Sequence, residues 1–214
     1  MVAKNLGALN IKNTMPTALV LAQTIRVMKM NVKDLPVIPA ILGIDFASKR
    51  TGVAMLSLKE PIDLISYKCI EASSDDDDLH RWAYTINAVS EFIVQCGGRP
   101  AAVAIEQPNS FRGGSTVRIL CGGWGALMLW VFQHDMPPFD INTSHAKSVF
   151  CGKKPGKGKQ PTLDKANAMF GLDLKWHRDD KKTDDNISDA IQVAWVLRKE
   201  LIESDPWFKE QSEK

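Results

Sequence analysis

With 214 residues, 44% of them hydrophobic and 24% charged, the chain has room for one well-buried domain plus an appendage and the composition of an ordinary soluble globular protein. A formal charge of +2 excludes a basic nucleic-acid footprint spread over the whole surface, so any such face must be local. Cys69, Cys96, Cys121 and Cys151 stand far apart with no Cys-x-x-Cys pair, which excludes a zinc knuckle or a disulfide framework and makes a reducing compartment the default.

Residues 1–36 read as an N-terminal extension. Lys4, Lys12, Arg26, Lys29 and Lys33 occur there with no acid before Asp34. That bias resembles an organelle transit peptide, but the segment has neither serine nor a small-residue cleavage site. A plain extension with a short helix around Thr17 to Met28 is expected, and a cytoplasmic setting.

From Val37 the pattern becomes regular, and a single domain is expected over 37–204 with a tail at 205–214. "VIPAILGIDF" and "TGVAMLSL" are β-rich runs separated by the turn "ASKR", and "IDLISYKC" follows the Pro61 turn as a third. Three strands so close in sequence predict an antiparallel meander. "SSDDDD" then opens a helix with Asp78 as its expected N-cap; Leu79, Trp82, Ala83, Ile86, Val89 and Ile93 recur at helical spacing before Gly97 and Gly98 end it. "AAVAIEQP" is a short, almost wholly apolar strand, the mark of a central position covered on both faces. A glycine-rich link leads to a helix through "STVRILCGGWGALMLWVF". Its uncharged run, Ile119 to Phe132, is too short and glycine-rich to span a bilayer, so no membrane partner is expected. A fifth strand, "FDINT", a lysine-rich segment and a last helix from about Asp185 to Glu203 complete the order.

Acids end two of the apolar runs: Asp45 closes "ILGID" and Glu106 closes "AAVAIE". A lone acid there can cap a turn, but an acid after an unbroken apolar run is costly to bury unless paired or bound to a cation. Asp185 and Asp189 stand at i and i+4, on one face of the last helix. Like charges at that spacing repel, and a divalent cation would resolve the conflict. The plainer alternative makes Asp185 the N-cap and leaves Asp189 exposed in the first turn.

"LGIDFASKRTGVAML", "VAIEQP" and "DNISDAIQVAWVL", in that order, resemble the RuvC-type Holliday junction resolvases of the ribonuclease H-like superfamily. The resemblance covers roughly residues 40 to 200. It implies an α/β fold with a five-stranded mixed sheet, an antiparallel three-strand meander plus parallel strands, flanked by helices. It also implies a metal-dependent endonuclease that resolves four-way or branched DNA junctions by symmetric two-metal phosphodiester hydrolysis, in DNA recombination and repair. Carried over by position, the catalytic and metal-binding acids are Asp45, Glu106 and Asp189. The family's last motif has two acids three apart; here the earlier place holds Asn186, and Asp185, one residue before it, is the expected substitute. Phe46 and Ala47 stand where the family has proline and glycine, whereas Thr51-Gly52 matches its Thr-Gly. An all-oxygen ligand set favours Mg²⁺, with Mn²⁺ as substitute, over zinc. The junction's two symmetric strands imply a homodimer.

"HAKSVFCGKKPGKGKQPTLDKAN" carries Lys147, Lys153, Lys154, Lys157, Lys159 and Lys165 against Asp164 alone. Its glycines and proline predict a flexible basic loop suited to phosphate contacts, and the segment resembles the Gly-Lys-Gly-Lys stretch before the acidic helix of the family. Lys147 or a loop lysine is expected to steady the reacting phosphate. Phe111 lies a few residues past Glu106, where the family places an aromatic wedge, and neighbouring Arg112 joins it as a candidate DNA contact. "CGGWG" at 121–125 is no dinucleotide fingerprint; its glycines predict close helix packing, against the sheet or a second subunit. Two other readings stay open. One is a ribonuclease H-like nuclease of the YqgF type, acting in RNA processing; the other is a non-cleaving module that binds branched DNA, for which Asn186 speaks. An actin-like kinase also begins with a strand, an acid and a phosphate loop, but this chain has no room for the duplicated domain.

Overall fold

A computed structural model of the chain describes residues 31–108, 114–152, 158–175 and 184–214. Phe111, Arg112, Lys153, Lys154 and Lys157 lie outside the described residues. Five strands form one mixed sheet: β1 (Val37–Asp45), β2 (Arg50–Ser57), β3 (Leu64–Glu71), β4 (Arg99–Glu106) and β5 (Pro138–Ile141). Their spatial order is β3-β2-β1-β4-β5. The β1–β2 and β2–β3 pairs are antiparallel, and β4 runs parallel to both β1 and β5. The meander and central fourth strand expected from the sequence are therefore present.

Helices cover both faces. On one lie α1 (Asp78–Gln95) and α2 (Gly114–Gln133); on the other lie α3 (Thr143–Cys151), α4 (Gln160–Phe170), α5 (Asp185–Ser204) and α6 (Pro206–Glu213). Strand alternation divides the core accordingly. Leu42, Ile44, Val53, Met55, Val103 and Ile105 face α1 and α2, whereas Ile41, Ala54, Ala102 and Ala104 face α5. Three of those four side chains toward α5 are alanines, and two positions there have none. A Cβ at Gly43 would stand 2.0 Å from the Ala190 carbonyl oxygen, and one at Gly52 would stand 1.9 Å from that of Asn186. The α5 backbone thus rests directly on β1 and β2. That seating brings the first turn of α5 to the end of β1, where Asp45 pairs with Gly52.

Several local expectations are corrected. The α1 N-cap is Asp77, whose side chain accepts from the His80 amide at 2.9 Å, and Asp78 is the first helical residue. In a run of four aspartates every position has the right chemistry for a cap, and only the helix's rotation chooses among them. The lysine-rich segment is not a continuous loop: α3 and α4 occupy much of it. Ala146 and Phe150 in α3, and Leu163 and Ala166 in α4, are buried at helical spacing, so burial of these stripes overrides the local glycines and proline. Val32 and Leu35 are buried in the core, and α6 buries Phe208. Two glycines of "CGGWG" serve packing within the chain: a Cβ at Gly122 would meet the Trp82 ring at 2.4 Å, and one at Gly123 the Phe46 ring at 2.2 Å. Phe46 thereby fills a groove in α2.

Candidate active site

Three elements deliver one acid each to the same end of the sheet. Asp45 ends β1, Glu106 ends the parallel neighbour β4, and Asp189 lies in the second turn of α5. One oxygen from each carboxylate can be chosen so that all three lie within 4.8 Å of one another. Asp185 is not part of that trio. Its carboxylate lies 3.6 Å from the Lys159 ammonium, which also forms an ion pair with Asp189. Asn186 is the residue of α5 that reaches Asp45, donating from Nδ2 to Oδ2 at 2.9 Å. An amide at 186 and an acid at 189 thus stand three residues apart, both turned toward the end of β1.

The electrostatics follow from crowding. Burial, then the charges of Glu106 and Asp189, push the Asp45 carboxyl well above its ordinary value. Burial likewise pushes Asp189 up to about 6, with Lys159 opposing the rise and Glu106 adding to it. For Lys159, burial disfavours the charged form, but Asp189, Asp45 and Glu106 outweigh it and hold the ammonium above its usual range. The sequence suggests a loop lysine reaching for DNA phosphates at this position; in the structure Lys159 forms ion pairs with Asp185 and Asp189. It sits just before α4, and Lys147 on α3 donates to the neighbouring Gly158 carbonyl. A cavity of about 220 Å³ opens beside the acids, with Thr143, Lys147, Lys159 and Asp189 on its wall.

The donor set fits a hard divalent cation. All three candidate ligands are carboxylates, with no histidine or cysteine among them. Glu106 supplies a second sign: Oε1 accepts from the Thr143 hydroxyl, while Oε2 is buried and no donor reaches it among the described residues, the Asp45 carboxyl being a neighbour of Glu106. A buried carboxylate oxygen in that condition is costly unless a cation meets it. Thr143 is invisible to sequence reasoning, because a single threonine after a short strand carries no signal of its own.

No protein-family model matches the sequence, and no curated protein matches it. Solved structures do. Thermus thermophilus RuvC in complex with a Holliday junction substrate aligns with a TM-score of 0.58 at 18% identity, over 77% of this chain and 94% of that one. Thermus thermophilus RuvC in a second structure gives a TM-score of 0.59 at 17% identity, over 77% of this chain and 95% of that one. The yeast mitochondrial Holliday junction resolvase Ydc2 gives 0.56 at 14% identity, over 84% of this chain and 88% of that one. The chain has the RuvC-type, ribonuclease H-like fold. Within a RuvC-type fold the acids of this chain occupy the ends of the first and fourth strands and the start of the last long helix. His145, which flanks the basic region, is engaged with Glu200 at 2.8 Å rather than with the acid cluster.

Proposed function

We propose that the protein is a structure-selective, metal-dependent endonuclease that resolves four-way or branched DNA junctions by symmetric phosphodiester hydrolysis. The observation that carries this reading is the convergence of Asp45, Glu106 and Asp189 on one point of a RuvC-type fold. Asp45, Glu106 and Asp189 would hold Mg²⁺ or Mn²⁺. Bound there, the cations supply Lewis-acid neutralisation of the scissile phosphodiester and activation of water, in the two-ion manner common to such nucleases.

The chain's own residues do the rest. Asn186 fixes the Asp45 carboxylate by its 2.9 Å hydrogen bond. Lys159, already charged and aimed at the acids, is placed to meet the extra negative charge of the phosphorane-like transition state. Lys147 and the lysines at 153, 154 and 157 would contact flanking phosphates, which position DNA without reading its sequence. Exposed Leu129 and Phe132 give the outer face of α2 an apolar strip suited to a second copy of the chain, as a symmetric substrate asks.

The test uses purified protein with Mg²⁺ and labelled four-way junction beside linear duplex and RNA–DNA hybrid. Paired, symmetric nicks in the junction, lost in Asp45→Asn while junction binding persists, are expected. Equal cutting of all three substrates would replace junction resolution with a general ribonuclease H-like nuclease. Tight junction binding with no cutting in any divalent metal would favour the non-cleaving module, the reading that the amide at 186 supports.

A further inference from the structure

We infer that Thr143 is a positioning residue of this site: its hydroxyl fixes one oxygen of Glu106 so that the other faces the cation. The inference rests on Asp45, Glu106 and Asp189 being cation ligands. A glutamate has three rotatable side-chain bonds, and at the end of β4 nothing in the strand itself chooses its direction. The Thr143 hydroxyl donates to Oε1, which leaves the buried Oε2, to which no donor is aimed among the described residues, as the oxygen available to the trio.

Both ends of that contact are anchored. Thr143 is the first residue of α3, directly after the N-cap Asn142, whose side-chain oxygen accepts from the amides of Ser144 at 3.0 Å and His145 at 3.1 Å. The Asn142 amide reaches back to the Gln107 side chain at 3.4 Å, and the Gln107 backbone donates to Ile141 at 2.9 Å. The residue after the acceptor is thus tied to the residues before the donor. Partners of this outer kind orient a ligand, and their loss ordinarily lowers metal affinity by about 10- to 100-fold.

The experiment is calorimetric titration of Mn²⁺ into the full chain, comparing wild type with Thr143→Val, Thr143→Ser and Asp45→Asn, with thermal unfolding in EDTA as the folding control. Thr143→Val keeps the shape and removes the donor; it should weaken Mn²⁺ by about tenfold while melting close to wild type. Thr143→Ser keeps the donor and removes the methyl; its Mn²⁺ affinity should match wild type. If instead packing of the methyl were what mattered, serine would be the damaging change and valine the harmless one, and the inference would be overturned. Wild-type affinity in Thr143→Val, with binding lost in Asp45→Asn, overturns Thr143 alone and leaves the cation site standing. Undiminished binding in Asp45→Asn overturns the cation site, and this inference with it.

Discussion

Asp45→Asn should stabilise the metal-free protein at neutral pH even as it abolishes cutting. Like charges 4.8 Å apart repel by about 3.5 kcal/mol at an effective dielectric of about 20. Asp45 faces two carboxylates, Glu106 and Asp189, and one ammonium, Lys159, which leaves about one uncompensated repulsion. Asparagine removes the charge and retains the fit: its carbonyl oxygen can accept from Asn186 as Oδ2 now does, and its amide can donate toward Glu106. The expected gain is about 2–3 kcal/mol, or about 5–10 °C in melting temperature for a chain of this length. The sign with pH follows from linkage. Asp45 and Asp189 both have folded-state pKa values above the unfolded carboxylate's 3.8, so the folded state binds their protons more tightly. Stability contributed by these groups is complete below 3.8 and is lost as pH rises above it, through about 6 for Asp189, with Asp45 acting in the same direction. Thermal melts in EDTA at pH 5 and pH 8 measure it. The mutant's advantage should be largest at pH 8 and shrink toward pH 5, and Mg²⁺ should raise the wild-type melt but not the mutant's. A mutant equal to or less stable than wild type at pH 8 would refute the electrostatic reasoning.

Gly52→Ala places a Cβ 1.9 Å from the Asn186 carbonyl oxygen, so it should cost about 1–3 kcal/mol in urea unfolding and weaken Mn²⁺ binding; no change in either would refute the close seating of α5. Asn186→Ala should lower Mn²⁺ affinity by about tenfold, because it frees Asp45, whereas Asp185→Asn should be milder; calorimetry of both variants decides, and the reverse order would make Asp185 the ligand. The lysines should separate by role in a salt series. Replacing Lys153, Lys154 and Lys157 by glutamine should flatten the junction-binding slope by about 0.9 for each phosphate no longer neutralised, whereas Lys159→Gln should chiefly slow cutting.

Much of this arrangement is legible in the sequence because burial on both faces writes itself as unbroken apolar runs. β1 and β4 are such runs, and the acids that end them are visible as exceptions for that reason. What stays hidden depends on how elements rotate against one another. The basic segment looks like a loop because glycine, proline and lysine dominate it, yet a few buried side chains, Phe150 and Leu163 among them, suffice to hold helices on either side. Lys159 shows the same limit. Charge clustering marks a basic surface, but it does not tell which lysine has folded back onto an acid cluster 30 residues away in sequence. Thr143 acts through a hydroxyl at a helix start, a position that many ordinary caps share.

The ambiguity between Asp185 and Asn186 has a sharper origin. Positions i−3 and i−4 from Asp189 lie on the same face of a helix, so spacing alone places either residue beside Asp45. The choice is made by the axial rotation of α5, and Gly43 and Gly52 set that rotation by admitting the Ala190 and Asn186 carbonyls to within 2.0 and 1.9 Å of where a Cβ would be. With the helix so seated, a fourth carboxylate at 186 would meet Asp45 head-on at hydrogen-bond distance. The amide converts that contact into a 2.9 Å hydrogen bond, and Asp185 turns instead toward Lys159. The motif therefore departs from the pattern it resembles by a charge and not by a direction. Such a change leaves the geometry of the acids intact and reduces the negative charge that a cation would meet, which is why position 186 should register in metal affinity.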